Sequence, residues 1–329
     1  MSGENLERII LGMPRQFLES FQAAARYEIV GDFSEVIICG MGGSALAGDL
    51  LKIFLEELEI KIPIHLVRDY SLHSLTPATA LVIAVSYSGN TEETLSVFEQ
   101  ARKRNIQTIA VSKNGGLEKL AEKYGAIFIR LPDFKTEPRF ATLGILGAII
   151  RVLMASGIAS PKTAATWVKT LGEIDIRATQ NIAKDLAKKI FKKINLIYTS
   201  YQYRAVGFNL KLKFNETVQI PAFSNYFSEL NHNEIASIGN HELTKNFFAT
   251  IIKFKKDSPR MEQRMLMTSE LLKKYGVGNE IIKPPGKNEI EEVFHTIFLG
   301  DWLSLFLAQY YGVDPTSSAT IEEFKKRLG

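Results

Sequence analysis

Short apolar runs alternate with stretches of helical period along the first half of the chain. "SEVIICG" is a continuous apolar run closed by glycine, and "IPIHLVRDY", "ALVIAVSYSG", "NIQTIAVSKNG" and "GAIFIRLP" repeat that pattern. Between them, "GSALAGDLLKIFLEEL", "TEETLSVFEQARKR" and "LEKLAEKYG" space their apolar residues at helical intervals. A strand without a polar face is buried on both sides, and its alternation with helices predicts a parallel sheet covered on both faces. The alternation stops over roughly Phe140 to Phe191, where only helices are expected, and then resumes. "INLIYTS" reads as a strand, "YRAVGFNLKLKFNE" as a helix, "VQIPAF" and "FFATIIKF" as strands, "PRMEQRMLMTSELLKKYG" as a helix and "NEIIKPP" as a strand. The long apolar helix "EIEEVFHTIFLGDWLSLFLAQYYG" and the short "TIEEFKKRLG" close the chain. The expected architecture is α/β, with two units that are each a parallel β-sheet flanked by helices. Residues 1–155 form the first, 156–190 a helical connector and 191–329 the second.

Bulk properties narrow this only modestly. The 329 residues suffice for two domains with sizeable cores, and 46% hydrophobic with 23% charged residues is ordinary globular composition. A net charge of +4 suits an anionic small molecule, but no basic block carries interleaved aromatics, so nucleic acid is not an expected partner. The greasiest segment, "FATLGILGAII", is too short to span a bilayer and reads as a buried core helix, so no membrane is expected either. The N-terminal "MSGENLERII" carries acids and no apolar core, unlike a signal peptide. The single cysteine, Cys39, ends an apolar run. It reads as a buried, inert thiol, and the lack of any partner for an internal disulfide favours the cytoplasm.

Chemistry is expected where strands of an open parallel sheet end, because ligands sit beyond their carboxyl ends. Two ends stand out. In "CGMGGSALAG", Gly40, Gly42 and Gly43 let the backbone approach a ligand and Ser44 opens the next helix. In "VSYSGNTEETL", Ser86, Ser88, Asn90 and Thr91 crowd a strand-to-helix turn. Backbone N–H groups at a helix start, with hydroxyl donors beside them, make an anion site. The plainer reading is a capping box from Asn90 to Glu93 and a simple cap at Ser44. Glu92 and Glu93 must point away if an anion binds. Gly40-x-Gly42-x-x-Ala45 also fits a dinucleotide fingerprint weakly, but Asp69 lies too far along for its acid, and no P-loop lysine follows the glycines.

"GMGGSALAGDLL" and "VSYSGNTEETL" together resemble the sugar isomerase (SIS) domain, which cradles phosphosugar phosphates with serines and threonines of two loops. "KFNETVQIPAFSNYFSELNHNEIAS" and "GVDPTSSATIEEFKKRL" are similar to the bifunctional phosphoglucose/phosphomannose isomerase family, and the resemblance covers nearly the whole chain. It implies phosphate binding by Ser44, Ser86, Ser88 and Thr91 beside Gly43, and enediolate stabilisation by Arg139. It makes Glu216 the base, His232 the ring-opening residue, and Lys325 (or its neighbour Lys326) an aid to ring opening. It also implies hexose 6-phosphates as ligands, no metal or other cofactor, and a homodimer in which His232 of one protomer completes its partner's site. Glu216 and His232, sixteen residues apart, are expected on either side of one short apolar turn. The family often reads "DPTPV" where this chain has "DPTSSA" (Asp314 to Ala319), which leaves the ratio of glucose to mannose activity open.

The chemistry is consistent with these residue types. Aldose–ketose interconversion moves one proton between adjacent carbons, which a single carboxylate can remove and return. A fixed guanidinium stabilises the charge growing on oxygen. The other histidines, His65, His73, His241 and His295, form no metal-binding spacing, so a zinc-dependent isomerase is not supported. His241 is the reserve for ring opening, while His295, Trp167 and Trp302 read as packing. The alternatives are a phosphosugar-sensing regulator, for which no output module is apparent, and an isomerase or synthase of amino-sugar phosphates.

Overall fold

The computed structural model describes residues 3–317 and 319–328. The chain divides into two units: Gly12–Ile174, and Asp175 onward with the chain before Gly12.

After helix α1 (Gly3–Ala23), the N-terminal unit runs β1 (Glu35–Cys39), α2 (Gly42–Leu51), β2 (Ile64–Val67), β3 (Ala80–Ser86) and α3 (Glu92–Lys103). It continues through β4 (Gln107–Ser112), α4 (Gly116–Lys123), β5 (Ile127–Arg130), α5 (Thr142–Ala155) and α6 (Pro161–Glu173). The five strands are parallel in the order β2-β1-β3-β4-β5. Every residue of central β3 is buried, which is why "ALVIAVS" carries no polar face. One side of the sheet packs Ile37, Val82, Ala84 and Ala110 against Val97, Phe98 and Leu117 of α3 and α4. Helix α5 is buried from Thr142 to Ile150, as expected for "FATLGILGAII". The chain leaves β1 towards β2 and returns on the other side at β3, so the carboxyl ends of β1 and β3 flank the crevice where the strand order reverses.

The C-terminal unit contains α7 (Gln180–Ile190), β6 (Ile194–Ser200), α8 (Arg204–Lys213), β7 (Ala222–Phe227), α9 (His241–Thr244) and β8 (Phe247–Ile252). Helix α10 (Pro259–Lys274), β9 (Gly278–Ile282), α11 (Glu289–Tyr311) and α12 (Ala319–Leu328) follow. The strands are parallel in the order β7-β6-β8-β9. The sequence places its caps well: Asn288 accepts from Glu291 N (2.9 Å) at the start of α11, and Gly312 stops it in the left-handed region (φ 66°). Both units have the α/β architecture expected from the sequence.

One strand lies later than expected. "VQIPAF" does not begin a strand at Val218; that residue ends a single π turn, Phe214–Val218, continuing α8. Gln219 then reverses the chain in the left-handed region (φ 62°), and β7 starts only after Pro221. Among the described residues, no helix is long and apolar enough to cross a membrane.

Candidate active site

The carboxyl edge of the N-terminal sheet gathers the hydroxyl residues. Ser86 ends β3, and its Oγ lies 2.9 Å from Thr91 Oγ1 and 3.5 Å from Ser88 Oγ. Backbone donors take the acceptor side of these hydroxyls: Gly89 N donates to Ser86 Oγ (3.1 Å) and Asn90 N to Ser88 Oγ (3.3 Å). From the neighbouring loop, Ser44 Oγ accepts from Tyr87 N (3.2 Å), which ties the two loops together. A hydroxyl whose lone pair is engaged by a backbone N–H keeps its own proton to donate. Ser44 retains one, and Ser86, Ser88 and Thr91 hold three among them for two mutual contacts. The capping-box reading of Asn90 does not hold. Thr91 is the cap residue of α3, and Asn90 Oδ1 instead accepts from Gly116 N (2.8 Å) at the start of α4.

Arg139 belongs to the same edge. It is buried with Phe140 on the 3-10 turn Pro138–Phe140, its guanidinium 5.3 Å from the Phe140 ring centroid. A Cβ on Gly43 would fall 2.7 Å from Pro138 O and 3.2 Å from Arg139 Cα, so only glycine lets this loop rest against the arginine turn. Glu92 is exposed and accepts from Tyr70 OH (3.2 Å), an engagement that accounts for one of the two acids at the helix start. Cys39 is 1% exposed, and burial pushes its thiol up to about 12, so it is the inert core residue expected.

In the C-terminal unit Glu216 sits half-buried on the π turn that ends α8. Gln219 N and Ile220 N both donate to Phe214 O, and Asn215 Nδ2 donates to Ile220 O (3.0 Å), closing the turn around it. Gln219 Nε2 reaches Asp314 O (3.2 Å), joining this turn to the "DPTSSA" segment. There Asp314 Oδ1 accepts from Thr316 N and Oγ1, while Ser318 lies outside the described residues.

The connection between Glu216 and His232 corrects the expectation. No apolar turn sets them side by side. All of β7 lies between them, and its six residues extend about 20 Å. Helix α8 returns the chain to the amino edge of the sheet, where Glu216 lies, whereas His232 follows β7 at the carboxyl edge. His232 is exposed, and its ring makes no hydrogen bond among the described residues. The turn before it is fixed to α10, because Asn231 Nδ2 donates to Thr268 Oγ1 (2.9 Å) and Arg264 Nη1 donates to Asn231 Oδ1 (3.3 Å).

Residues 179–328 match the model for the bacterial phospho-glucose isomerase C-terminal SIS domain, and residues 33–122 match the SIS domain. The bifunctional phosphoglucose/phosphomannose isomerase of Caldicellulosiruptor bescii is 32% identical, covering 97% of each chain. The chain belongs to the bifunctional phosphoglucose/phosphomannose isomerase family. The protein of that name from Aquifex aeolicus is 30% identical over 90% of this chain and 91% of its own. In fold, the C-terminal domain of glucosamine-fructose-6-phosphate aminotransferase from Francisella tularensis superposes with a TM-score of 0.75 at 16% identity. It covers 96% of this chain and 100% of that domain.

The remaining candidates of this phosphoglucose/phosphomannose isomerase family member fall away from these clusters. Lys325 is exposed on α12 and pairs with Glu322 (3.0 Å). Helix α12 has no buried residue, so nothing in its own packing chooses between Lys325 and Lys326. His241 Nδ1 lies 3.4 Å from Tyr275 O. His295 is buried with both ring nitrogens facing carbonyl oxygens, those of Pro285 (2.7 Å) and Asp175 (3.2 Å). Trp302 Nε1 donates to Ile176 O, and Trp167 packs edge-on against Phe54. Among the described residues no group of three or more His, Cys, Asp or Glu is arranged to hold a metal ion.

One pair escaped the sequence reading. Lys213, three residues before Glu216, is 3% exposed, and its Nζ lies 2.5 Å from Oδ1 of Asp301, which is fully buried on α11. Burial pushes the Asp301 carboxyl up and the Lys213 ammonium opposes that shift. A lysine near a helix end ordinarily reads as solvated, and only the packing of α8 on α11 brings these two together.

Proposed function

We propose that this chain interconverts fructose 6-phosphate with glucose 6-phosphate and with mannose 6-phosphate through a cis-enediolate. The carrying observation is the set of four hydroxyls, Ser44, Ser86, Ser88 and Thr91, three of which accept from backbone N–H groups and which together hold more protons than their mutual bonds use. These hold the phosphate. Glu216 removes the proton from one of the two adjacent carbons and returns it to the other. Arg139 carries positive charge opposite the enediolate oxygens. Glucose 6-phosphate and mannose 6-phosphate differ only at C2, the carbon that loses its configuration in the enediol, so one base can serve both. No metal ion or other cofactor enters this reading.

Ring opening falls to His232, assisted by Lys325. The length of β7 between Glu216 and His232 supports a shared site, in which Glu216 of one protomer acts with the histidine of a second copy in a homodimer. The cytoplasm is the proposed location, consistent with a lone buried thiol.

The test is a coupled assay with each of the three hexose 6-phosphates in the presence of a chelator. Turnover of all three, unaffected by chelation, is expected. Absence of activity on fructose 6-phosphate, or activity restored only by added zinc or magnesium, overturns the proposal.

A further inference from the structure

The buried ion pair beneath the Glu216 turn has no role in the chemistry above. Lys213 is the last residue of α8 and leads directly into Phe214–Val218. Its partner lies in the middle of α11, in a stretch where Leu299, Trp302 and Leu303 are also buried. Two charges moved out of water into such a setting are costly, and a well-packed apolar pair of similar size often serves stability as well or better. An ion pair differs from an apolar contact in being directional. The short Nζ–Oδ1 contact fixes both the end of α8 and its rotation about the helix axis. A single π turn lacks the repeated ladder of a longer helix, and its side-chain directions depend on what anchors its two ends. One end of this turn is anchored by Lys213, and the other by Gln219 and Asn215.

We propose that Lys213 and Asp301 form a positioning pair that aims the Glu216 carboxylate at the substrate carbons. The inference rests on Glu216 being the base. A displacement of about 1 Å at a reacting group can cost on the order of 100-fold in rate, which sets the scale of the effect. The phosphate-binding hydroxyls belong to the other unit, so the pair is expected to act on kcat and not on substrate affinity.

The experiment uses the full chain carrying Lys213→Met together with Asp301→Leu, which removes both charges and leaves neither unpaired. The expected result is thermal stability equal to or above wild type, KM for fructose 6-phosphate within about twofold, and kcat lower by about 10- to 100-fold. A kcat restored to the wild-type value along with stability assigns the pair to packing alone and overturns the proposal. So does a loss confined to KM. Should the double variant fail to fold, Asp301→Asn keeps the shape but removes the charge that holds Lys213 Nζ in place. It is expected to lower kcat at nearly constant KM, and an unchanged kcat in that folded variant overturns the proposal equally. Glu216→Gln in parallel separates the two claims. If it stays active the base is misassigned, whereas an inactive Glu216→Gln beside a fully active double variant refutes only the positioning role.

Discussion

The two sheets share a strand arrangement, yet the candidate site residues gather at opposite edges of them. In the N-terminal unit the polar groups stand at the carboxyl ends of β1 and β3, where the strand order reverses. The equivalent reversal in the C-terminal unit lies between β6 and β8, and there the polar groups satisfy one another. Ser200 Oγ donates to Asp257 Oδ1 (2.5 Å). Tyr203 OH, Gln202 Nε2 and Lys256 Nζ all converge on the Glu289 carboxylate. Ser86 and Ser200 both end strands beside a reversal, but Ser200 has committed its proton to a carboxylate. Glu216 lies at the other edge, where α8 turns back towards β7. A common topology therefore offers two candidate crevices, and hydrogen-bond commitments separate the open one from the filled one.

The largest effect that tests this division of labour is expected from Glu216→Gln. It removes the base and keeps the shape, so kcat should fall by about 10³-fold or more while KM changes little. Retention of most of the wild-type kcat would show that the amino edge of the C-terminal sheet is not where the proton moves.

Next in size is the recovery expected when Glu216→Gln and His232→Ala proteins exchange subunits. If His232 acts across a two-fold interface, a mixed dimer has one doubly defective site and one intact site. Random mixing at equal amounts makes about half the dimers mixed, so about a quarter of all sites regain activity. No recovery, with exchange confirmed by an independent label, would place both residues in one chain despite the length of β7 between them.

Much of the fold was legible because buried strands and helices carry strong patterns. "ALVIAVS" is apolar throughout because both its faces are covered. "VQIPAF" misled for the complementary reason: Val218 is apolar because the π turn packs it, with 0% exposure. Strand β7 is an edge strand whose Phe223 is 56% exposed and whose Ser224 and Asn225 are polar, so it carries little strand pattern. The position of the hydroxyl loops was legible because glycine and serine interrupt the apolar runs of β1 and β3 at their carboxyl ends. The role of Asn90 was not, because its partner Gly116 belongs to the next helix. Lys213 and Asp301 were invisible for the same reason: their meaning lies in a contact between distant parts of the chain.

On the N-terminal side, Ser86→Ala combined with Ser88→Ala should raise KM for fructose 6-phosphate by at least about 100-fold, since each hydrogen bond to a charged group is worth roughly 1.5–3 kcal/mol. A smaller fall in kcat should accompany it, because phosphate binding also positions the sugar. Equal activity of the wild type on fructose and fructose 6-phosphate would remove the reason for an anion site at this edge.

The smallest effect is the sharpest check on the filled crevice. Ser200→Ala breaks the bond to Asp257 at the C-terminal reversal, and if that crevice binds no phosphate, KM and kcat should stay within about twofold of wild type. The cost should appear in stability instead, at about 1 kcal/mol near neutral pH. Its pH dependence has a definite sign. Burial raises the Asp257 carboxyl above its ordinary range, and the Ser200 hydroxyl opposes that rise. Losing the hydroxyl raises the folded-state value further. A raised carboxyl favours folding least once it must ionise, so the variant's deficit should grow as pH rises through the Asp257 value and shrink below the unfolded-state range. Urea denaturation of wild type and variant at neutral and acid pH measures this difference. A KM rise comparable to that of the Ser86 and Ser88 double variant, with stability unchanged, would mean that the second crevice also holds substrate and that the contrast between the two sheets is drawn at the wrong place.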